Sequence, residues 1–177
     1  MRRPVIGALD SGSASTPHLL GPFGIRHETL DRIRYAPATG VARGAYVLAD
    51  AENGRPQVLL IGTGSEVSLC VKVYEELQDE GIPARVVSMP SWELFEQQGR
   101  AYRDLVLPPE VRARVSVEQG SVLGWDHYVG MTGAKIGMHT FGSSAPLRDL
   151  QTKFGFTPEK VLAAAKDQIA EAKRQRA

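Results

Sequence analysis

Cysteine is almost missing from this chain. Cys70 is the only one, so no intramolecular disulfide can form. A lone thiol suits a reducing compartment, and a cytoplasmic location is the expectation. An excess of either charge is missing as well: 21 Lys and Arg stand against 20 Asp and Glu, a formal net charge of +1. Without a basic excess, a dedicated nucleic-acid surface is not expected. No run approaches the roughly 18 consecutive apolar residues of a membrane span. Met1-Arg2-Arg3 is followed by no continuous apolar stretch before Asp10, so neither a membrane anchor nor a secretory leader is expected. Metal-ligand spacings such as C-x-x-C and H-E-x-x-H do not occur, and neither does the G-x-S-x-G nucleophile elbow. What remains is a globular composition over 177 residues, 42% hydrophobic and 23% charged. That length supports one domain burying roughly 70% of the surface its unfolded chain exposes.

Organisation changes near residue 40. Asp10 to Pro17 is polar and small, Gly21-Pro22-Phe23-Gly24 breaks regular structure, and no apolar period crosses them. Residues 1–40 are therefore expected to be a flexible arm, docking through Leu19, Leu20, Phe23 and Ile25, with Tyr35–Gly40 as an extended linker. Residues 41–177 are the domain. Ala45–Ala49 and Gln57–Ile61 read as strands joined by the turn pair Asn53-Gly54, which predicts an antiparallel hairpin. Val67, Cys70, Val71, Tyr74 and Leu77 mark one face of a helix over 65–80, with capping-box spacing between Thr63 and Glu66. Ala84–Met89, Arg114–Glu118 and Lys135–Met138 are further strands. Short helices are expected at Ser91–Gln97 and Gly99–Val106, another near Ala145–Phe154 capped by Ser144, and a last one after Thr157-Pro158. Alternating strands and helices predict an α/β three-layer sandwich, its sheet mainly parallel with an antiparallel edge strand.

The most suggestive chemistry is the glycine-rich turn Gly62-Thr63-Gly64-Ser65, between a buried strand and a helix. Backbone N–H groups and the helix dipole there form a possible anion cradle. It is not a dinucleotide fingerprint, because Val67 holds the third glycine's place and Ser88-Met89-Pro90 ends the next strand without an acid. The alternative is a purely structural strand-to-helix turn. Glu118, at the carboxyl edge of the sheet, serves either a site or a structural partner such as an arginine or a helix terminus. Asp126, His127 and His139 with Ser116, Ser121 and Ser143 assemble into a triad on paper only. His127 is expected to pack or to sit at an interface. Trp125, Tyr128, Phe141, Phe154 and Phe156 are expected in the core, and Lys166–Arg176 on a solvated helix face.

From Gly40 onward the sequence resembles the carboxyl-terminal domain of transketolase. The resemblance rests on Gly40–Asp50, Ile61–Val67, Ala84–Ser91, Tyr102-Arg103, Val106–Pro108, Gly137–Pro146 and Phe154–Thr157, in the family's order over residues about 30–170. Residues 1–29 have no counterpart in it. The resemblance implies a family that moves two-carbon ketol units between sugar phosphates in the pentose phosphate pathway, using thiamine diphosphate and Mg. It also implies that this chemistry belongs to the two domains that precede this one. The family's Gly-Asp-Gly signature is absent, so no catalytic, cofactor-binding or metal residue carries over to this chain. Two roles follow. One is a non-catalytic domain with a structural, dimerisation or anion-regulatory part, as a homodimer. The other is a subunit of a split transketolase whose missing domains form a separate chain.

Overall fold

The computed structural model describes residues 19–20, 26–27, 30–31, 34–140 and 142–175. The chain divides into two units, Met1–Leu30 and Asp31–Ala177. In the first, β1 (Leu19–Leu20) and β2 (Arg26–His27) pair antiparallel, Leu19 opposite His27. The polar stretch Asp10–Pro17 lies outside the described residues, as do Phe23, Ile25 and Phe141.

The second unit is built on a central apolar strand, β4 (Val58–Gly62), buried along its whole length. A strand with no polar alternation is one covered on both faces. Its parallel neighbours are β5 (Ala84–Ser88) and β6 (Arg114–Ser121); β7 (Ala134–Met138) extends the sheet beyond β6, and β3 (Tyr46–Ala49) closes the other edge. The order is β3-β5-β4-β6-β7. Only β3 runs antiparallel, and its partner is β5. The expected hairpin between β3 and β4 is therefore corrected. Both sides of β4 are taken by parallel strands, and β3 is instead tied to β5 by Asp50. The Asp50 carboxylate accepts from Arg85 Nε and Nη2 at 2.8 and 2.7 Å.

Helix α1 (Glu66–Asp79) and helix α6 (Pro158–Arg174) pack against each other and cover one face. On the other face Leu59, Ile61 and Val87 meet Phe95, Val106, Trp125 and Tyr128. These come from α2 (Trp92–Glu96), α3 (Arg100–Val106), α4 (Asp126–Val129) and the residue before α4. The result is an α/β three-layer arrangement around a mainly parallel sheet. No helix among the described residues is long and apolar enough to cross a membrane.

Local chemistry explains several boundaries. Thr157 Oγ1 accepts from Lys160 N at 3.4 Å and Pro158 opens α6, whose Val161, Ala165 and Ile169 are buried. Helix α5 (Leu147–Phe154) starts later than expected and Ser144 does not cap it. Pro146 disfavours helical geometry at residue 145, so no turn forms upstream. Tyr35 is buried with its hydroxyl on Glu75, and Ala36 N donates to Leu48 O, so the segment expected as linker lies on the domain. A 3-10 turn over Ala38–Arg43 follows and ends at Gly44, φ +82°. A Cβ at Gly44 would stand 2.2 Å from Phe95 N, so glycine is needed there for closeness as well as for its positive φ.

Candidate functional site

Strand β4 delivers Gly62 to the carboxyl edge of the sheet, where ligands of open α/β sheets collect. Gly62 is buried, Thr63 half-buried, Gly64 and Ser65 exposed. Gly64 takes φ +54° and turns the chain into α1. A Cβ on Gly62 would meet Cys70 Sγ at 3.0 Å and Val67 Cα at 3.1 Å, so this glycine lets the helix close onto the strand. The four residues thus occupy one turn, as expected from their spacing.

The capping box does not form. Glu66 N donates to Thr63 O within the turn, and the Glu66 carboxylate accepts from Ser65 Oγ at 2.7 Å. Ser65 flanks the helix without capping it through its side chain. Glu66 is only 6% exposed, so a carboxylate sits inside the turn that a ligand anion would approach. The dipole of α1 favours negative charge; Glu66 supplies it from within the chain.

Glu118 stands close enough to feel that charge. Burial raises its pKa, the Glu66 carboxylate raises it further, and a hydrogen bond from Gly120 N works the other way. Of the roles open to it, a site, an arginine or a helix terminus, the charge it feels is that of a second carboxylate. Cys70, fully buried on α1, has its thiol pushed up by burial first and by Glu66 second. Two carboxyl groups, Glu66 and Glu118, thus stand at this edge.

The paper triad dissolves. Asp126 pairs with Lys135, His127 Nε2 lies 3.2 Å from Glu96 Oε1, and Ser116 is buried within β6. His127 sits edge-on against Tyr128, ring centroids 4.8 Å apart, and remains 65% exposed. Trp125, Tyr128 and Phe156 are in the core as expected, and Phe154 is half-buried. Lys166 reaches Glu80 from the solvated face of α6.

Sequence reasoning missed two arginines. Arg85 is 5% exposed, pairs with Asp50 and donates to Leu105 O at 2.6 Å. Arg114 donates to Tyr128 O and to Pro108 O, at 2.6 and 2.8 Å; burial lowers its pKa. Each faces Leu59 across the sheet, and together they collect the carbonyls that end α3 and α4. The signal was one arginine at matching positions of two otherwise apolar strands, Ala84-Arg85-Val86 and Ala113-Arg114-Val115. They are structural clamps rather than site residues. Among the described residues, no group of three or more His, Cys, Asp and Glu side chains is placed to hold a metal ion.

A family model described as the transketolase-like TK C-terminal domain matches residues 44–157. The chain belongs to that family. Transketolase 1 of Escherichia coli (strain K12) is 54% identical over 127 residues, which is 72% of this chain and 19% of that protein. A transketolase structure from Leishmania mexicana matches with a TM-score of 0.69 and 41% identity, covering 75% of this chain and 19% of that one. A structure titled a split gene transketolase, inactive beta4 tetramer, shares the fold at a TM-score of 0.57 and 22% identity, over 73% of this chain and 43% of that one. The chain spans between about a fifth and a third of the length of the first curated relatives it matches. The transketolase match begins at Gly44, where the 3-10 turn ends, and closes at Thr157, the cap of α6.

Proposed function

We propose that this transketolase C-terminal domain is a non-catalytic, structural part of a ketol-transferring assembly, and that it works by docking. The observation that carries this reading is an exposed apolar face near the carboxyl edge. Val41 on the 3-10 turn, Leu94 on α2 and Leu123 on the β6–α4 loop are 44%, 40% and 84% exposed. Their elements touch: α2 packs on the 3-10 turn, and Gly124 sits against the Trp92 ring. Exposed apolar side chains carried on touching elements are the kind of surface that a partner covers. The occupant in this reading is the thiamine-binding part of a transketolase or a second copy of this domain.

Thiamine diphosphate itself does not fit the edge described above. Its diphosphate would meet the buried Glu66 carboxylate and Glu118. No step of ketol transfer is routed through this chain. The turn Gly62-Thr63-Gly64-Ser65 keeps, in this reading, only a weak regulatory contact for a small anion. Donors and dipole on one side and Glu66 on the other are each worth about 1 kcal/mol, so binding is on the order of millimolar.

A second reading takes its arrangement from the split gene transketolase whose fold this chain shares. Here the chain is one subunit of a split transketolase. One experiment addresses both readings. The pure chain, with thiamine diphosphate and Mg, is assayed for ketol transfer from a ketose phosphate to an aldose phosphate, alone and mixed with the thiamine-binding domains of a transketolase. The expected result is no turnover alone and association on mixing. Turnover restored by mixing selects the split-subunit reading. Turnover by the chain alone, or no association with either those domains or itself, overturns docking.

A further inference from the structure

At the opposite, amino edge of the sheet lies a groove of about 550 Å³. The segment entering β4, the segment entering β6 and the last turns of α6 enclose it. Its floor is apolar, built by Pro56, Val111, Ala113 and Ile169, all buried. On its walls stand the exposed side chains of Arg55, Arg112 and Lys173. None of these three makes an ion pair or side-chain hydrogen bond among the described residues. Elsewhere the arginines are engaged: Arg34 pairs with Glu75, Arg103 with Glu96, Arg174 with Glu171, and Arg43 lies over the Tyr102 ring. Unspent positive charge therefore gathers in this groove, over an apolar floor.

Two features oppose an anion there. Glu110 also lines the groove, and the C-terminal carbonyls of α6 carry partial negative charge. Three cations against one carboxylate outweigh both. A guanidinium offers paired donors that match two phosphate oxygens, and two guanidiniums with an ammonium suit a group bearing more than one negative charge. The volume lies within the roughly 300–1,000 Å³ of small-molecule sites.

We propose that this groove binds a small phosphorylated organic molecule, laying a flat apolar body on the Pro56–Ile169 floor and a multiply charged phosphate group against Arg55, Arg112 and Lys173. A nucleoside diphosphate has that chemistry. The site is separate from the docking face, on the other edge of the sheet, and stands or falls independently of it.

The test titrates the 177-residue chain with ADP, adenosine and inorganic phosphate, following heat and backbone amide shifts at low and at physiological salt. ADP is expected to shift amides at residues 54–57, 110–113 and 169–173, to bind about tenfold or more tighter than either fragment, and to weaken with salt. Arg55→Gln with Arg112→Gln should cost ADP binding about tenfold while leaving Tm unchanged, since both side chains are exposed. No shift at those residues at about 10 mM ADP overturns the proposal. So does equal binding by adenosine or phosphate alone, undiminished binding in the double variant, or a preference for an acidic peptide over ADP.

Discussion

Cys70 illustrates how one side chain is decided by its surroundings. It is fully buried, and both desolvation and the Glu66 charge hold the thiol protonated. A protonated, inaccessible thiol is a poor nucleophile. Native chain is therefore expected to resist alkylation by iodoacetamide, with labelling appearing only in concentrated denaturant; rapid native labelling would contradict the burial. Glu118 gives the pH counterpart. Its folded-state pKa lies above the ordinary carboxyl value through burial and then Glu66, so the folded state holds its proton more tightly than the unfolded chain does. The sign follows: this carboxyl favours the fold at low pH and loses that contribution as pH rises through the folded pKa. Glu118→Gln should match the parent's stability near pH 4 and exceed it at neutral pH, read by urea denaturation at both. Equal stability at both pH values would show that Glu118 is not held above its ordinary range.

Among the elements, β3 is held at its end by a polar contact. It is an edge strand whose register against β5 shifts between Val47 and Ala49, and the Asp50–Arg85 pair lies at the end of that ladder. Tyr74 Oη donates to Asp50 O at 2.7 Å, tying the same corner to α1. Breaking a fully buried pair costs about 3–5 kcal/mol. The Asp50 side chain is 35% exposed and Arg85 keeps its bond to Leu105 O, so Asp50→Ala is expected to cost less, about 1–3 kcal/mol by urea denaturation. A loss below about 0.5 kcal/mol, the range of ordinary surface substitutions, would remove the pair from the account of why β3 stays on β5. Helix α6 was legible in advance because its signals are local: a threonine cap, a proline at the first position and one apolar stripe. The partner of β3 was not, because Asn53-Gly54 describes a turn and says nothing about which strand the chain reaches next.

Across the second unit, the sheet separates two surfaces of different chemistry. The carboxyl edge offers buried acid and exposed apolar side chains; the amino edge offers unpaired cations over an apolar floor. If the apolar face is an interface, charge placed there should abolish association without disturbing the fold. Val41→Glu with Leu123→Glu is expected to leave Tm within the few degrees typical of surface changes and to eliminate binding to thiamine-binding domains or to a second copy, measured by sedimentation. Association unaffected by both substitutions would move the docking surface elsewhere.

The α/β class, the central strand at 58–61 and the turn at 62–65 were legible from sequence order, because each rests on periodicity or on breakers only a few residues apart. The resemblance over residues about 30–170 was legible for the same reason, and the family match over 44–157 bears it out. What the turn can bind was not. Thr63 and Glu66 have the spacing of a capping box, yet Glu66 turns to Ser65 and buries its charge, because Cys70 and Val67 press so closely on Gly62 that the helix seats directly on the strand. Nor were the groove at the amino edge and the arginine clamps. Arg55, Arg112 and Lys173 are scattered along the chain, and so are Arg85 and Arg114; only packing of distant segments tells which cations find carbonyls or carboxylates and which are left facing a cavity.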